Sequence, residues 1–215
     1  MKRLFVFVPA MLLVLVLINS FVLKENRSGD KAALKSTDGG KTWQEISGGL
    51  PEIEKPTNTF KSAGVLISTG SEGIRRSTDN GKHWEWVIRE GGVGIAVERI
   101  QGGFAAIAYN TAIKSRRIHI SQDNGKTWKV ISDGLPPSMF TSSIKQMGKY
   151  LICGHSDGIF RSADMGKTWN KVHPAVDVDI NDPKFIITGK SVTKNVFRIH
   201  VSGDTLYAVP GSAGC

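Results

Sequence analysis

An eight-residue phrase that occurs four times, a strand-turn-strand order that recurs around it, and chain ends that read as complementary halves of one repeat together predict an all-β fold. The expected architecture is a small β-propeller of four four-stranded blades, closed by N- and C-terminal strands that share a blade. The alternative is a fragment of a larger propeller, because four blades lie at the lower limit of the usual range. The phrase is SxDxGx(T/H)W, at residues 36–43 (STDGGKTW), 77–84 (STDNGKHW), 121–128 (SQDNGKTW) and 162–169 (SADMGKTW), with periods of 41, 44 and 41 residues. All five tryptophans fall in or beside these copies.

The first element is a leader. Lys2 and Arg3 precede an uncharged run over residues 4–18, which resumes at 21–23 after Asn19 and Ser20. That length approaches the roughly 20 residues of a spanning helix, and Ser20 after Ile18 makes a poor cleavage site, so residues 1–28 are expected to be a signal-anchor with a short linker. The positive pair before the run places the amino end in the cytoplasm and residues 29–215 outside, at the periplasm or cell surface, whether anchored or secreted. Within residues 1–28 lie four of the 28 basic and one of the 19 acidic residues, so the exported part keeps 24 against 18, or +6. An extracytoplasmic address and the lack of aromatics among the basic residues argue against nucleic acid as a partner.

Each repeat unit then reads as four short strands. Residues 64–81 and 148–166 share the order strand, glycine turn, strand, box, and ISGGLP at 46–51 returns as ISDGLP at 131–136. In the box, Asp-x-Gly signals a tight turn: the carboxylate accepts backbone N–H groups two residues on, and glycine takes the positive-φ position. The structural set is therefore Ser36, Asp38, Gly40 and Trp43; Ser77, Asp79, Gly81 and Trp84; Ser121, Asp123, Gly125 and Trp128; Ser162, Asp164, Gly166 and Trp169. Each tryptophan supplies apolar mass and an indole N–H that needs a partner. The chain enters at residues 31–35 in a third strand and leaves through residues 195–209, where Gly203 aligns with Gly148 and Leu206 with Leu151.

These boxes closely resemble the Asp-box or BNR repeat of sialidases, sortilin-type receptor domains, xyloglucan-cleaving hydrolases and the photosystem II assembly factor family. The resemblance covers residues 31–213 and implies a propeller in which the box is a fold element set away from the binding face. With strands alternating in direction, the boxes mark one end of the ring. The other end carries the loops at 47–58, 69–73, 89–94, 109–116, 132–140, 154–158, 173–183 and 210–214, where function is expected to reside. Glu72, Tyr109, Arg116, His155 and Asp157 are the candidate ligand residues of that end.

No convergent catalytic set accompanies them. A sialidase, as the resemblance implies, holds its substrate carboxylate with an arginine cluster and uses a tyrosine nucleophile with carboxylic acids. Arg198, within FRIH, is the one arginine whose context resembles that motif, but Arg75, Arg76 and Arg161 sit at repeated strand positions, and Tyr109, Tyr150 and Tyr207 at packing positions. Gly154-His155-Ser156-Asp157-Gly158 matches a GxSxG elbow, yet it lies in a repeat turn equivalent to residues 70–73 rather than in a strand-turn-helix. Asp177, Asp179, Asn181 and Asp182 resemble the start of a calcium loop, whose sixth position should be glycine and whose twelfth, here Thr188, should be glutamate. With two cysteines, Cys153 and Cys215, neither a disulfide scaffold nor a thiolate zinc cluster is expected, and no metal or cofactor is assigned. The expectation is a non-catalytic binding or assembly module for protein or glycan; the alternative is a degenerate or fragmentary sialidase-type glycoside hydrolase.

Overall fold

Short runs rich in valine, isoleucine and phenylalanine, each closed by a glycine turn, form sixteen strands in the computed structural model, which describes residues 33–52, 58–62, 64–176 and 195–212. In chain order they are β1 (Ala33–Ser36), β2 (Gln44–Ile46), β3 (Thr59–Ser62), β4 (Val65–Gly70), β5 (Gly73–Ser77), β6 (Glu85–Ile88), β7 (Gly91–Ile100) and β8 (Gly103–Asn110), followed by β9 (Ser115–Ser121), β10 (Lys129–Val130), β11 (Ser143–Met147), β12 (Tyr150–His155), β13 (Gly158–Ser162), β14 (Asn170–Pro174), β15 (Asn195–Ser202) and β16 (Thr205–Ser212). The leader, the calcium-like stretch at 177–190 and Cys215 lie outside the described residues. Among the described residues no helix is long and apolar enough to cross a membrane.

Lys31–Cys215 forms one unit of four antiparallel sheets, and each sheet is one repeat. Three are continuous in sequence: β3–β6, β7–β10 and β11–β14. The fourth has the order β15-β16-β1-β2, with Leu34 opposite Ala208, Lys35 opposite Tyr207 and Ser36 opposite Leu206. The chain ends therefore complete one blade, which covers the edge that β1 would otherwise expose. The turn between first and second strands is the same in every blade: Gly64, Gly102, Gly148 and Gly203 all have φ between 55° and 79°, where a side chain would be strained.

Because one sheet cannot bury both faces, the blades stack, and apolar rows interdigitate at the seams. Phe104, Ala106 and Ala108 of β8 meet Val65, Ile67, Ile74 and Ile88. Ile118 and Ile120 of β9 meet Leu151, Cys153 and Phe160, and Leu34, Phe197, Ile199 and Leu206 meet Ile152 and Ile159. Among the described residues no buried apolar cluster spans the remaining seam, between the β15-β16-β1-β2 and β3–β6 sheets. The contacts that lock blade to blade follow the repeat as well. Arg76 donates from Nε to the Asn124 carbonyl (2.9 Å), and Arg161 donates likewise to the Gly39 carbonyl (2.8 Å), each reaching the box of the next blade. At the equivalent position β9 carries Ile120, packed in the same core as Met165, and β1 carries Lys35. Cys153 is a free, fully buried thiol in one of these cores, and burial pushes its pKa far up, so it behaves as a small apolar side chain.

Candidate functional site

The two ends of the propeller are built from different chemistry, and the box end is the more regular. In each box the serine hydroxyl donates to its aspartate at 2.8–2.9 Å and accepts the N–H of the glycine four residues on at 2.8–3.0 Å. The aspartate accepts the N–H of residue i+4 (Thr42, His83, Thr127 or Thr168) at 2.9–3.0 Å, and also that residue's side chain. This differs from the expected contact two residues on, because the turn is wider than a simple Asx turn. Two consecutive residues, not one, take left-handed φ: Gly39 and Gly40, Asn80 and Gly81, Asn124 and Gly125, Met165 and Gly166. Glycine and asparagine, the residues that tolerate this region best, fill three of the four leading positions. The tryptophan N–H of three boxes closes the loop on the glycine carbonyl (Trp43, Trp84, Trp128, 3.0–3.2 Å), whereas Trp169 donates to the Ile131 carbonyl of the neighbouring blade at 2.6 Å.

These donors act on the carboxylates directly. At Asp38 burial pushes the pKa up, but hydrogen bonds from Thr42, Ser36 and Lys41 outweigh it and hold the group at about 2. Thr168 and Ser162 hold Asp164 at about 2, and Asp79 and Asp123 lie well below the usual range through His83 and Thr127. A folded-state pKa depressed below the unfolded value stabilises the fold above the unfolded pKa, and that contribution is lost as pH falls through the folded one. The thermal midpoint should therefore hold steady down to about pH 4 and fall between there and about pH 2. Asp164→Asn should lower the midpoint at pH 7 and flatten that slope. An unchanged acid profile in the variant would mean that the turn does not depend on the carboxylate.

A family model described as BNR/Asp-box repeat matches residues 34–45 and 119–130, the strand-and-box segments of two blades. Two stretches of the chain therefore match the BNR/Asp-box repeat. No curated protein matches the sequence. The two repeat matches are consistent with an all-β propeller and say nothing of a ligand, which leaves the loop end to its own residues.

At that end Tyr109 stands opposite Arg116 in the β8–β9 ladder, Arg116 and His155 both bond to the 136–141 segment, Asp157 adjoins His155, and Glu72 belongs to the β3–β6 blade. Glu72 is exposed and pairs with Arg89 (2.6 Å) beside β6. Tyr109 lies half-buried against Gly92, where an added Cβ would come within 2.6 Å of its ring. Arg116 is buried and donates from Nη1 to the Thr141 carbonyl (3.1 Å), and His155 is buried with Nε2 2.9 Å from the Pro136 carbonyl. Asp157 accepts the Ser156 hydroxyl at 3.1 Å. In GHSDG the Asp157 carboxylate thus accepts from the serine while its backbone N–H donates to His155 Nδ1 (3.1 Å), and the histidine's Nε2 faces a carbonyl, which is not the order of a proton relay. The final glycine of that motif is a fold element. Gly158 (φ 132°) and its counterpart Gly73 (φ 134°) each let a fourth-strand carbonyl approach to 2.0 Å from where a Cβ would stand, just before a bulge in β13 and β5.

Two charged groupings escaped the sequence reading. Glu90, in the link between β6 and β7, lies 3.1 Å from both Arg117 Nη1 and His119 Nε2, which share one face of β9. Burial pushes the Glu90 pKa up, but His119 and Arg117 outweigh it and hold it below the ordinary value. Arg117 and His119 lie 27 and 29 positions after Glu90, and only the glycine-rich stretch after Glu90 hinted at a close approach. On the inner strands Lys145 of β11 donates to Glu98 of β7, whose pKa burial raises, and burial with the Lys145 and Arg198 charges lowers that of His200 on β15.

Proposed function

We propose that this protein is a non-catalytic binding or assembly module, an extracytoplasmic propeller held at the membrane by residues 1–23, whose ligand is protein or glycan. The observation that carries this reading is the fate of the arginines. Arg76 and Arg161 lock neighbouring boxes, Arg75 lies 4.6 Å over the Trp84 ring, and Arg161 lies 3.5 Å over Tyr150. An arginine cluster for a substrate carboxylate would have to gather such groups in one place; here Arg76 and Arg161 tie two different pairs of blades and Arg75 stacks on the tryptophan of its own blade. The leader supports the address through its apolar length and the Lys2, Arg3 flank.

The expected outcome is that the protein releases no sialic acid from a chromogenic sialoside but binds a glycan or envelope protein saturably. Release of sialic acid that disappears in Arg198→Ala would establish the glycoside hydrolase instead, since Arg198 is the one exposed arginine with a sialidase-like context.

A further inference from the structure

We infer that the loop end of the β7–β10 blade is a docking surface for a partner protein that lays down an apolar segment flanked by an acidic residue. The inference rests on the binding-module reading and names the surface and the class of ligand.

Single exposed apolar residues are ordinary on a protein surface. Here five large ones are exposed among the described residues, and three of them, Val93 (47%), Ile113 (57%) and Met139 (49%), surround the tip of one hairpin, β8–β9. They come from three separate segments that the backbone ties together. Thr111 N–H donates to the Glu90 carbonyl (3.0 Å), which seats the Val93 segment. Arg116 N–H donates to the Ser138 carbonyl (2.7 Å), and Ser138 N–H to the Ser115 hydroxyl (2.9 Å), which seats the Met139 segment. The Asn110 side chain accepts the Ile113 N–H at 3.1 Å and shapes the tip itself. The glycines of the first segment leave no slack: a Cβ on Gly91 would stand 2.2 Å from Thr111 Oγ1, and one on Gly94 2.2 Å from the Gly73 carbonyl. The three side chains are thus presented on a fixed frame, and a surface that is already ordered loses little entropy on binding.

The chemistry selects the partner. Aliphatic and thioether groups offer sugar hydroxyls almost no hydrogen bonding, but they match an apolar peptide, and methionine adapts to varied shapes. Of the residues directly flanking the three, only Lys114 carries a charge. The neighbouring cations are already neutralised, Arg89 by Glu72 and Arg117 by Glu90, whereas Lys114 is exposed and has no ion-pair partner among the described residues. An acidic residue beside the apolar anchors would complete that charge.

The test pans a displayed random-peptide library against the full-length chain in a nonionic detergent, with Ile113→Asp, Met139→Asp and Lys114→Glu as comparison proteins. Enriched peptides should combine aliphatic or aromatic residues with Asp or Glu and weaken at least about tenfold on Ile113→Asp or Met139→Asp. On Lys114→Glu, a change at an exposed position, the preference should turn to Lys or Arg. Peptides that bind all four proteins equally would overturn the surface and leave the binding-module reading standing, as would glycan binding with no peptide enrichment. Self-association of the chain that Ile113→Asp abolishes would make the occupant a second copy and overturn the inference. Turnover of a sialoside would instead overturn the reading on which it rests.

Discussion

A chain lacking residues 195–215 should lose cooperative folding altogether. The deletion removes β15 and β16, leaving the β1 edge unpaired along Leu34, Lys35 and Ser36. It also takes Phe197, Ile199 and Leu206 out of a core that holds Ile152 and Ile159 of the preceding blade. All three are at most 4% exposed, and burying a side chain of that size contributes about 1.5–3 kcal/mol. Their sum approaches the whole stability of a typical domain, about 5–15 kcal/mol. The expected result is a sloping thermal profile with no sharp transition. A truncated chain that still melts in one step near the parental temperature would mean that the remaining blades need neither the terminal strands nor the seam they fill.

Phe104→Ala should be the most damaging single truncation, at about 3–5 kcal/mol. Phe104 is fully buried on β8, inserted between two blades against Val65, Ile67, Ile74, Ile88 and Val97. Both walls of the resulting cavity are strands fixed by their own ladders, so neither can collapse into it cheaply. A urea titration with an unchanged slope and a lower midpoint would report the loss. The same truncation at Trp43, which is only half-buried and keeps its indole N–H on the Gly40 carbonyl, should cost less. A Phe104→Ala loss below about 1 kcal/mol would show that the seams are loosely packed.

What the sequence made legible follows from where the repeat repeats. The four blades, the shared terminal blade and the turn glycines are local signals copied four times, so Gly148 and Gly203 could be aligned and both have φ 55°. The doubled left-handed turn was written in the letters as well, since Gly39, Asn80 and Asn124 precede the box glycines, but Met165 breaks the pattern and hides it. The side chains at the loop end were harder to place. Arg116 and His155 look like surface charges in a basic or polar turn, yet the 136–141 segment folds over both and satisfies them with carbonyls of Thr141 and Pro136. The Glu90, Arg117 and His119 grouping joins the β6–β7 link to β9 across one blade, and such contacts depend on strand order in the sheet rather than on any local period.

The central claim is that one repeat, copied four times, builds the fold by splitting a blade between the two ends of the chain. Nuclear Overhauser contacts across the β1–β16 pair test it directly. The register predicts contacts linking Leu34 with Ala208, Lys35 with Tyr207 and Ser36 with Leu206, together with slow amide exchange along β1. Rapid exchange over residues 33–36, with no contact to 206–208 while β15 and β16 remain paired to each other, would contradict it.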